Sequence, residues 1–500
     1  MTLVEMLEKN AREFPEKKAI VYHDFMLTYR ELNETVNRLT HALLEMGFKK
    51  GGRVAFMLPR IPELVITFLS AAKAHGIAVP INFELPDDMI TAVLNNITPR
   101  YFIVHKQFLE LAKRAVPRDS EISIIVAGEN YEGEYISLKE LQKDKNPDNP
   151  CPAPDKEDIV YLNYTSGSTG NPKGAVTTHS NIYWNTIAAV DALKLTPDDI
   201  HLCIFAPFAH PHEIFSRALY LGGTMVLVDK IYPKAIAEAI ANHKVTTMMG
   251  LSPMYETLIE LVEHRTYDLS SLRVPESGGM YTRIELIERF RQKTGVPIIP
   301  VWGSTETTGI ALANRPNEYM PAGSVGKPCA SYEVKIVDEN DNELPDGEIG
   351  EMIFRGPAVI QNYYGNPING KICFKDGWYC SGDLGRRDRD GNFYFADRKT
   401  GMMKVAGLKV YPLEIELVLM SHPDIKEAAV IPAKDRLRGE VPKAIIVTNN
   451  GTLLTEKEIL GFCKERLPHY KLPRIIEIRA SLPKIGSGKI NKRVLQLEAV

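Results

Sequence analysis

Two stretches concentrate the residue types that hold phosphates. The first, YTSGSTGNPKGAV, runs from Tyr164 to Val176, and the second, PKIGSGKINKR, begins at Pro483. In the first, Gly167, Gly170 and Gly174 let backbone N–H groups curl around an anion. Thr165, Ser166, Ser168 and Thr169 add hydroxyl donors, and Lys173 adds charge. A Walker loop needs two glycines five residues apart, then Lys and a Ser or Thr whose hydroxyl reaches magnesium. Neither stretch meets that spacing. Lys173 is followed by Gly174, Ala175 and Val176, while Lys489 is followed by Ile490 and Pro483 stands where the first glycine belongs. The chemistry expected is phosphate binding by a different loop. The plainer readings are an exposed Ser/Gly loop and a basic tail.

Four further stretches follow in order: WGSTE at 302–306, WYCSGD at 378–383, DRKTGMMKVAGLKVYPLEIE at 397–416 and PKIGSGKINKRVL at 483–495. Together with the first loop, and with the opening GFKKGGRVAFMLPRIPELVITFLSAAKAHGIAVPIN, they make the whole chain resemble the adenylate-forming superfamily. That superfamily contains acyl- and aryl-CoA ligases, carrier-protein-loading adenylation domains and beetle luciferases. The resemblance implies activation of a carboxylic acid by ATP to an acyl-adenylate with release of pyrophosphate, then displacement of AMP by a thiol. Such a reaction asks the protein mainly to position groups and neutralise charge.

The resemblance also distributes roles. Thr165, Ser166, Gly167, Ser168, Thr169, Gly170 and Lys173 cover the β- and γ-phosphates. Glu306 holds Mg2+, a hard cation that prefers oxygen; otherwise it is an acid at a helix start. Trp302 stacks on adenine, with Gly303, Ser304 and Thr305 beside it and Gly278 lining the site; taken alone, Trp302 is a core aromatic. Asp383 accepts both ribose hydroxyls and Arg398 reaches the ribose. Lys489 enters from the small domain and bridges carboxylate and α-phosphate oxygens, as a point charge on a flexible stem suits. Lys404 and Gly407 belong to the segment that replaces the lysine loop in the second step, with Gly407 lining the pantetheine tunnel. Thr400 stands at the hinge, where Asp or Lys is usual, and the following Gly401 is placed to absorb the backbone change.

His210, Gly279, Met280, Gly309 and Ile310 are the candidate acyl pocket. His212 and Glu213 are unusual there. They signal either a short or polar-ended acid, or two polar side chains pointing outward from a loop; a metal site lacks a third ligand nearby. Lys404, Lys409 and Lys471 are available for CoA phosphates. Because the chain ends soon after Lys489, no fused carrier domain is expected, which favours a free-standing acid:CoA ligase. The alternatives are an enzyme loading a separate carrier protein and a catalytically silent nucleotide sensor. The sensor should have lost Glu306, Asp383 or Lys489.

These residues need a scaffold. GRVAFML reads as a buried strand, PELVITFLSAAKA as a helix and IAVPIN as the next strand, so parallel sheets wrapped by helices are expected. Thr28 and Glu31 have capping-box spacing before an apolar face of Leu32, Val36, Leu39 and Leu43. From about residue 333 short strands alternate with Asn/Asp/Gly turns. The expected fold is α/β, with a large N-terminal domain (1–399, β-rich from about 333) and a small mobile α+β C-terminal domain (400–500). A length of 500 residues requires more than one core. The net charge of −3 points away from nucleic acid as a partner. The N-terminus lacks the apolar core of a signal peptide, and the most apolar run is broken by Glu63, Lys73 and His75, so no membrane span is expected. The six cysteines form no C-x-x-C pair, the pattern of reduced thiols in a cytoplasmic protein.

Overall fold

A computed structural model describes residues 1–129, 131–150, 152–165, 173–365, 374–449, 452–484 and 489–498, with Thr165 described by its backbone alone. Two compact units emerge: Met1–Val334 with Phe354–Tyr379, and Lys335–Ile353 with Cys380–Val500. This grouping reflects packing density.

The first unit holds two large sheets. One has seven strands in the order Ile136–Ser137, Ser123–Ala127, Tyr101–His105, Arg53–Met57, Ile77–Pro80, Ile159–Thr165 and Lys173–Thr178. All neighbours are parallel except the last pair, which is antiparallel with Thr165 opposite Lys173. The other sheet has nine strands, parallel from Lys18–Tyr22 through Ile299–Ser304 and closed at each end by antiparallel neighbours. Helix Pro62–Lys73 is buried at every position but Glu63, and its Phe68 packs on Tyr161 and on Phe215 at ring-centroid distances of 5.6 and 5.0 Å. That explains why its sequence is apolar on every face. The Thr28–Glu31 capping box forms as the spacing predicts and starts helix Tyr29–Glu45.

A five-stranded sheet contains Trp378–Arg387 paired with Phe393–Arg398. In the second unit a further sheet, built on the long hairpin Ile425–Asp435 and Gly439–Thr448, packs against helices Pro412–Met420 and Glu456–Lys464 through Ile415, Leu419, Ile459 and Cys463. No helix among the described residues is long and apolar enough to cross a membrane. Among the described residues Cys203, Cys329 and Cys463 are buried free thiols.

Candidate active site

Glu306 lies in a tight turn between strands Ile299–Ser304 and Gly309–Ala313. Its carboxylate accepts from the hydroxyl of Tyr363 at 2.6 Å and from that of Tyr379 at 3.0 Å, and its carbonyl accepts from the Ile360 N–H. Lys173 sits over the Tyr363 ring, 5.6 Å from the centroid. The backbone of Tyr363 pairs with Ala175, so the strand leaving the Ser/Gly loop and the Glu306 turn share one tyrosine. The Glu306 carboxylate, with the phenol oxygens of Tyr363 and Tyr379 beside it, offers the oxygen donors that suit a magnesium ion rather than a soft metal. Sequence reasoning missed both tyrosines. Tyr379 lies inside the quoted WYCSGD motif, while Tyr363 is 57 positions from its partner and carries no motif. Ser166, Gly167, Ser168, Thr169 and Gly170 lie outside the described residues.

Trp302 stacks on Phe354 with centroids 4.2 Å apart and planes 4° apart, a partner the sequence did not suggest. Gly303 admits no side chain, because a Cβ there would lie 2.3 Å from the Gly309 carbonyl oxygen. Ser304 N–H donates to Thr307 Oγ1, tightening the turn. Thr305 Oγ1 lies 3.3 Å from His210 Nε2 and 3.4 Å from Asn163 Nδ2. Gly278 is buried beneath Val301, Gly279 is exposed with φ of 73°, and Met280 is half-buried. Ile310 is buried.

His212 and Glu213 do not point outward, contrary to the second expectation for them: they are 0% and 6% exposed. His212 Nε2 donates to the Thr308 carbonyl at 2.7 Å. Arg217, four residues beyond Glu213 and on helix Ser216–Leu221, lies 3.0 Å from Glu213 Oε2 and donates to Glu276 Oε1 at 2.5 Å. Mutual charge pairing makes their burial tolerable. Burial pushes the Glu276 carboxyl up to about 7 and the His212 imidazole down to about 4. Among the described residues no three His, Cys, Asp or Glu side chains group to hold a metal.

The second unit assembles its own constellation. Asp383 and Arg398 are register partners on neighbouring strands, and Arg398 Nε meets Asp383 Oδ1 at 2.7 Å. The Asp383 side chain is 4% exposed and that of Arg398 62%. The Lys489 ammonium is held below its ordinary pKa, chiefly by burial and then by Arg398, with Asp383 opposing. Three residues from three separate motifs therefore converge.

Gly407 (φ 85°) follows Ala406 (φ 48°) in a two-residue turn joining strands Met403–Val405 and Leu408–Val410, the backbone a tight hairpin demands. Lys404 on that hairpin is exposed. Beyond Thr400, the N–H groups of Gly401 and Met402 both donate to the Arg398 carbonyl. Two lysines expected for CoA are engaged elsewhere: Lys471 holds Glu414 at 2.6 Å with its side chain 15% exposed, and Lys409 meets Glu339 at 3.3 Å.

The family model for AMP-binding enzymes matches residues 7–364, and that for the AMP-binding enzyme C-terminal domain matches 414–489. The chain belongs to the AMP-binding enzyme family. This AMP-binding enzyme is 32% identical over 489 residues to a feruloyl-CoA synthase of an Amycolatopsis species, covering 97% of this chain and 96% of the relative. Crotonobetaine/carnitine–CoA ligase of Citrobacter koseri is 31% identical over 513 residues, covering 99% and 98%. Among solved structures, the anthranilate CoA ligase AuaEII in complex with anthranoyl-AMP superposes with a TM-score of 0.93 at 30% identity, covering 100% of this chain and 97% of that one. ATP-bound MatB from Rhodopseudomonas palustris gives 0.90 at 25%, covering 100% and 99%. The fold, a large N-terminal and a smaller C-terminal α/β domain, is that of these adenylate-forming enzymes. The AMP-binding enzyme is accordingly an AMP-forming acid–CoA ligase.

Proposed function

We propose that the chain catalyses a two-step ligation of a carboxylic acid to CoA. The acid's carboxylate oxygen attacks the α-phosphorus of ATP, and the bond to the bridging oxygen breaks to release pyrophosphate. The CoA thiol, losing its proton, then adds to the acyl carbon, and AMP departs. The convergence of Lys489, Arg398 and Asp383 carries this reading, because it joins a ribose-binding acid to a cation able to meet charge on the α-phosphate.

In this reading Asp383 accepts the ribose hydroxyls and Arg398 orients that carboxylate. Lys489 neutralises oxygens of the attacking carboxylate and α-phosphate during the first step. Thr165 to Gly170 and Lys173 hold the outer phosphates. Trp302, with Gly303, Ser304 and Thr305, borders the adenine, and Gly278 lines its edge. Magnesium, which Glu306 would hold, neutralises phosphate charge when bound. His210, Gly279, Met280, Gly309 and Ile310 border the acyl group. Pivoting about 399/400 then exchanges Lys489 for the Lys404–Gly407 hairpin, letting one site serve two transition states.

The test is AMP release with ATP, magnesium and CoA across short, branched, aromatic and polar-ended acids. Acid- and CoA-dependent AMP formation is expected for one acid class. Acid-dependent pyrophosphate exchange without CoA turnover would overturn the CoA step, and absence of exchange with every acid would favour a nucleotide sensor.

A further inference from the structure

The turn after Glu306 has an unusual backbone. Thr308, a β-branched residue, has φ of 60°, a left-handed conformation that such residues adopt only under constraint. Gly309 follows at φ of 144°, and a Cβ there would lie 2.3 Å from Glu213 Oε1 and 2.6 Å from Asn185 Oδ1. Both positions are therefore pressed by buried polar side chains, two of them from the short segment His210–Glu213.

The most direct of these contacts is the His212 hydrogen bond to the Thr308 carbonyl. A carbonyl only accepts, so Nε2 carries the proton. His212 Nδ1 is buried and has no hydrogen-bond partner among the described residues, which suits a neutral ring. The imidazole thus acts as a fixed donor. Thr308 is further anchored by its own hydroxyl, which donates to the Ala358 carbonyl at 2.7 Å, and Tyr332 donates to the Thr307 carbonyl at 2.6 Å. On the far side of Glu306, Ser304 N–H is tied to Thr307 Oγ1. The backbone of Glu306 is therefore clamped on both flanks, leaving its side chain to reach Tyr363 and Tyr379.

We propose that His212 is a positioning residue for Glu306: by donating to the Thr308 carbonyl it holds the left-handed turn that aims the Glu306 carboxylate. The proposal rests on the reading of Glu306 as the magnesium carboxylate. It gives the unusual H-x-H-E run a purpose other than contact with the acid.

The experiment measures ATP affinity by calorimetry on the full chain, with and without magnesium and without acid, for the wild type and for His212→Phe, His212→Gln and Glu306→Gln. Phe fills the space without a donor, and Gln restores an N–H. His212→Phe should lose about 10-fold of the magnesium-dependent gain in ATP affinity, with metal-free ATP affinity changed less than about 2-fold. His212→Gln should recover most of the loss. Equal behaviour of the Phe and Gln variants, or parallel loss of metal-free affinity, would overturn the proposal. If Glu306→Gln leaves the gain intact, the reading of Glu306 itself fails; if only that variant abolishes it, the His212 proposal alone falls. Thr308→Gly makes the left-handed turn free of steric cost, so in that background the effect of His212→Phe should shrink. Should His212→Phe alone not fold, Thr308→Gly should restore folding, and failure to do so contradicts the coupling.

Discussion

Arg398 Nε meets Asp383 Oδ1 at 2.7 Å across two paired strands, so the acid expected at the ribose is oriented by the arginine that leads into the C-terminal segment. Asp383→Asn keeps the shape and removes the charge that both ribose hydroxyls would use. AMP affinity, measured by calorimetry, should fall about 10- to 100-fold, the range for hydrogen bonds to a charged group. An unchanged affinity would remove Asp383 from the nucleotide site.

Tyr363 and Tyr379 each donate to one oxygen of Glu306. Tyr363→Phe removes a charge-assisted hydrogen bond and should reduce kcat/KM for ATP about 10-fold. A cycle combining it with Glu306→Gln should reveal a coupling of about 0.5–3 kcal/mol. Simple additivity would show that the hydroxyl does not act through Glu306.

The buried set Glu213, Arg217 and Glu276 should matter for stability. Arg217→Met strands two carboxylates and should reduce the unfolding free energy by about 3–5 kcal/mol. Adding Glu213→Gln and Glu276→Gln should return much of it. A loss under about 1 kcal/mol in urea unfolding would contradict the pairing.

Acid sensitivity should arise from buried histidines. Burial takes His201 from 6.5 down to about 4 and His179 down to about 3. The unfolded chain then binds more protons below pH 6.5, so their contribution is complete above that pH and is lost as pH falls through 4. At about 1.4 kcal/mol per pH unit, His201 alone accounts for about 3 kcal/mol. Glu276 acts oppositely: raised from 4.5 to about 7, its contribution is complete below 4.5 and lost as pH rises through 7. Urea titrations from pH 7.5 downward should give His201→Gln a shallower decline than the wild type; identical slopes would contradict the assignment.

The sequence displayed what local pattern and motif order can show. Arg53–Met57, Pro62–Lys73 and Ile77–Pro80 follow apolar runs of helix and strand length, and Glu306, Asp383 and Lys489 stand in recognisable contexts. Tyr363, Phe354 and the burial of His212 were hidden because they depend on partners far along the chain. Polar side chains are usually exposed. Nothing local to Glu213 reveals that Arg217 is buried with it and is joined by Glu276 from strand Val274–Ser277. Lys471 looked available for the same reason, its partner Glu414 being 57 residues away.

Lys489 should serve adenylate formation alone, and Lys489→Ala tests this in both half-reactions. Acid-dependent ATP–pyrophosphate exchange should fall at least about 100-fold, the scale for losing a group aimed at transition-state charge. Thioester formation from supplied acyl-adenylate and CoA should stay within about 3-fold of the wild type, since no such charge needs Lys489 there. Equal losses in the two half-reactions would contradict the account.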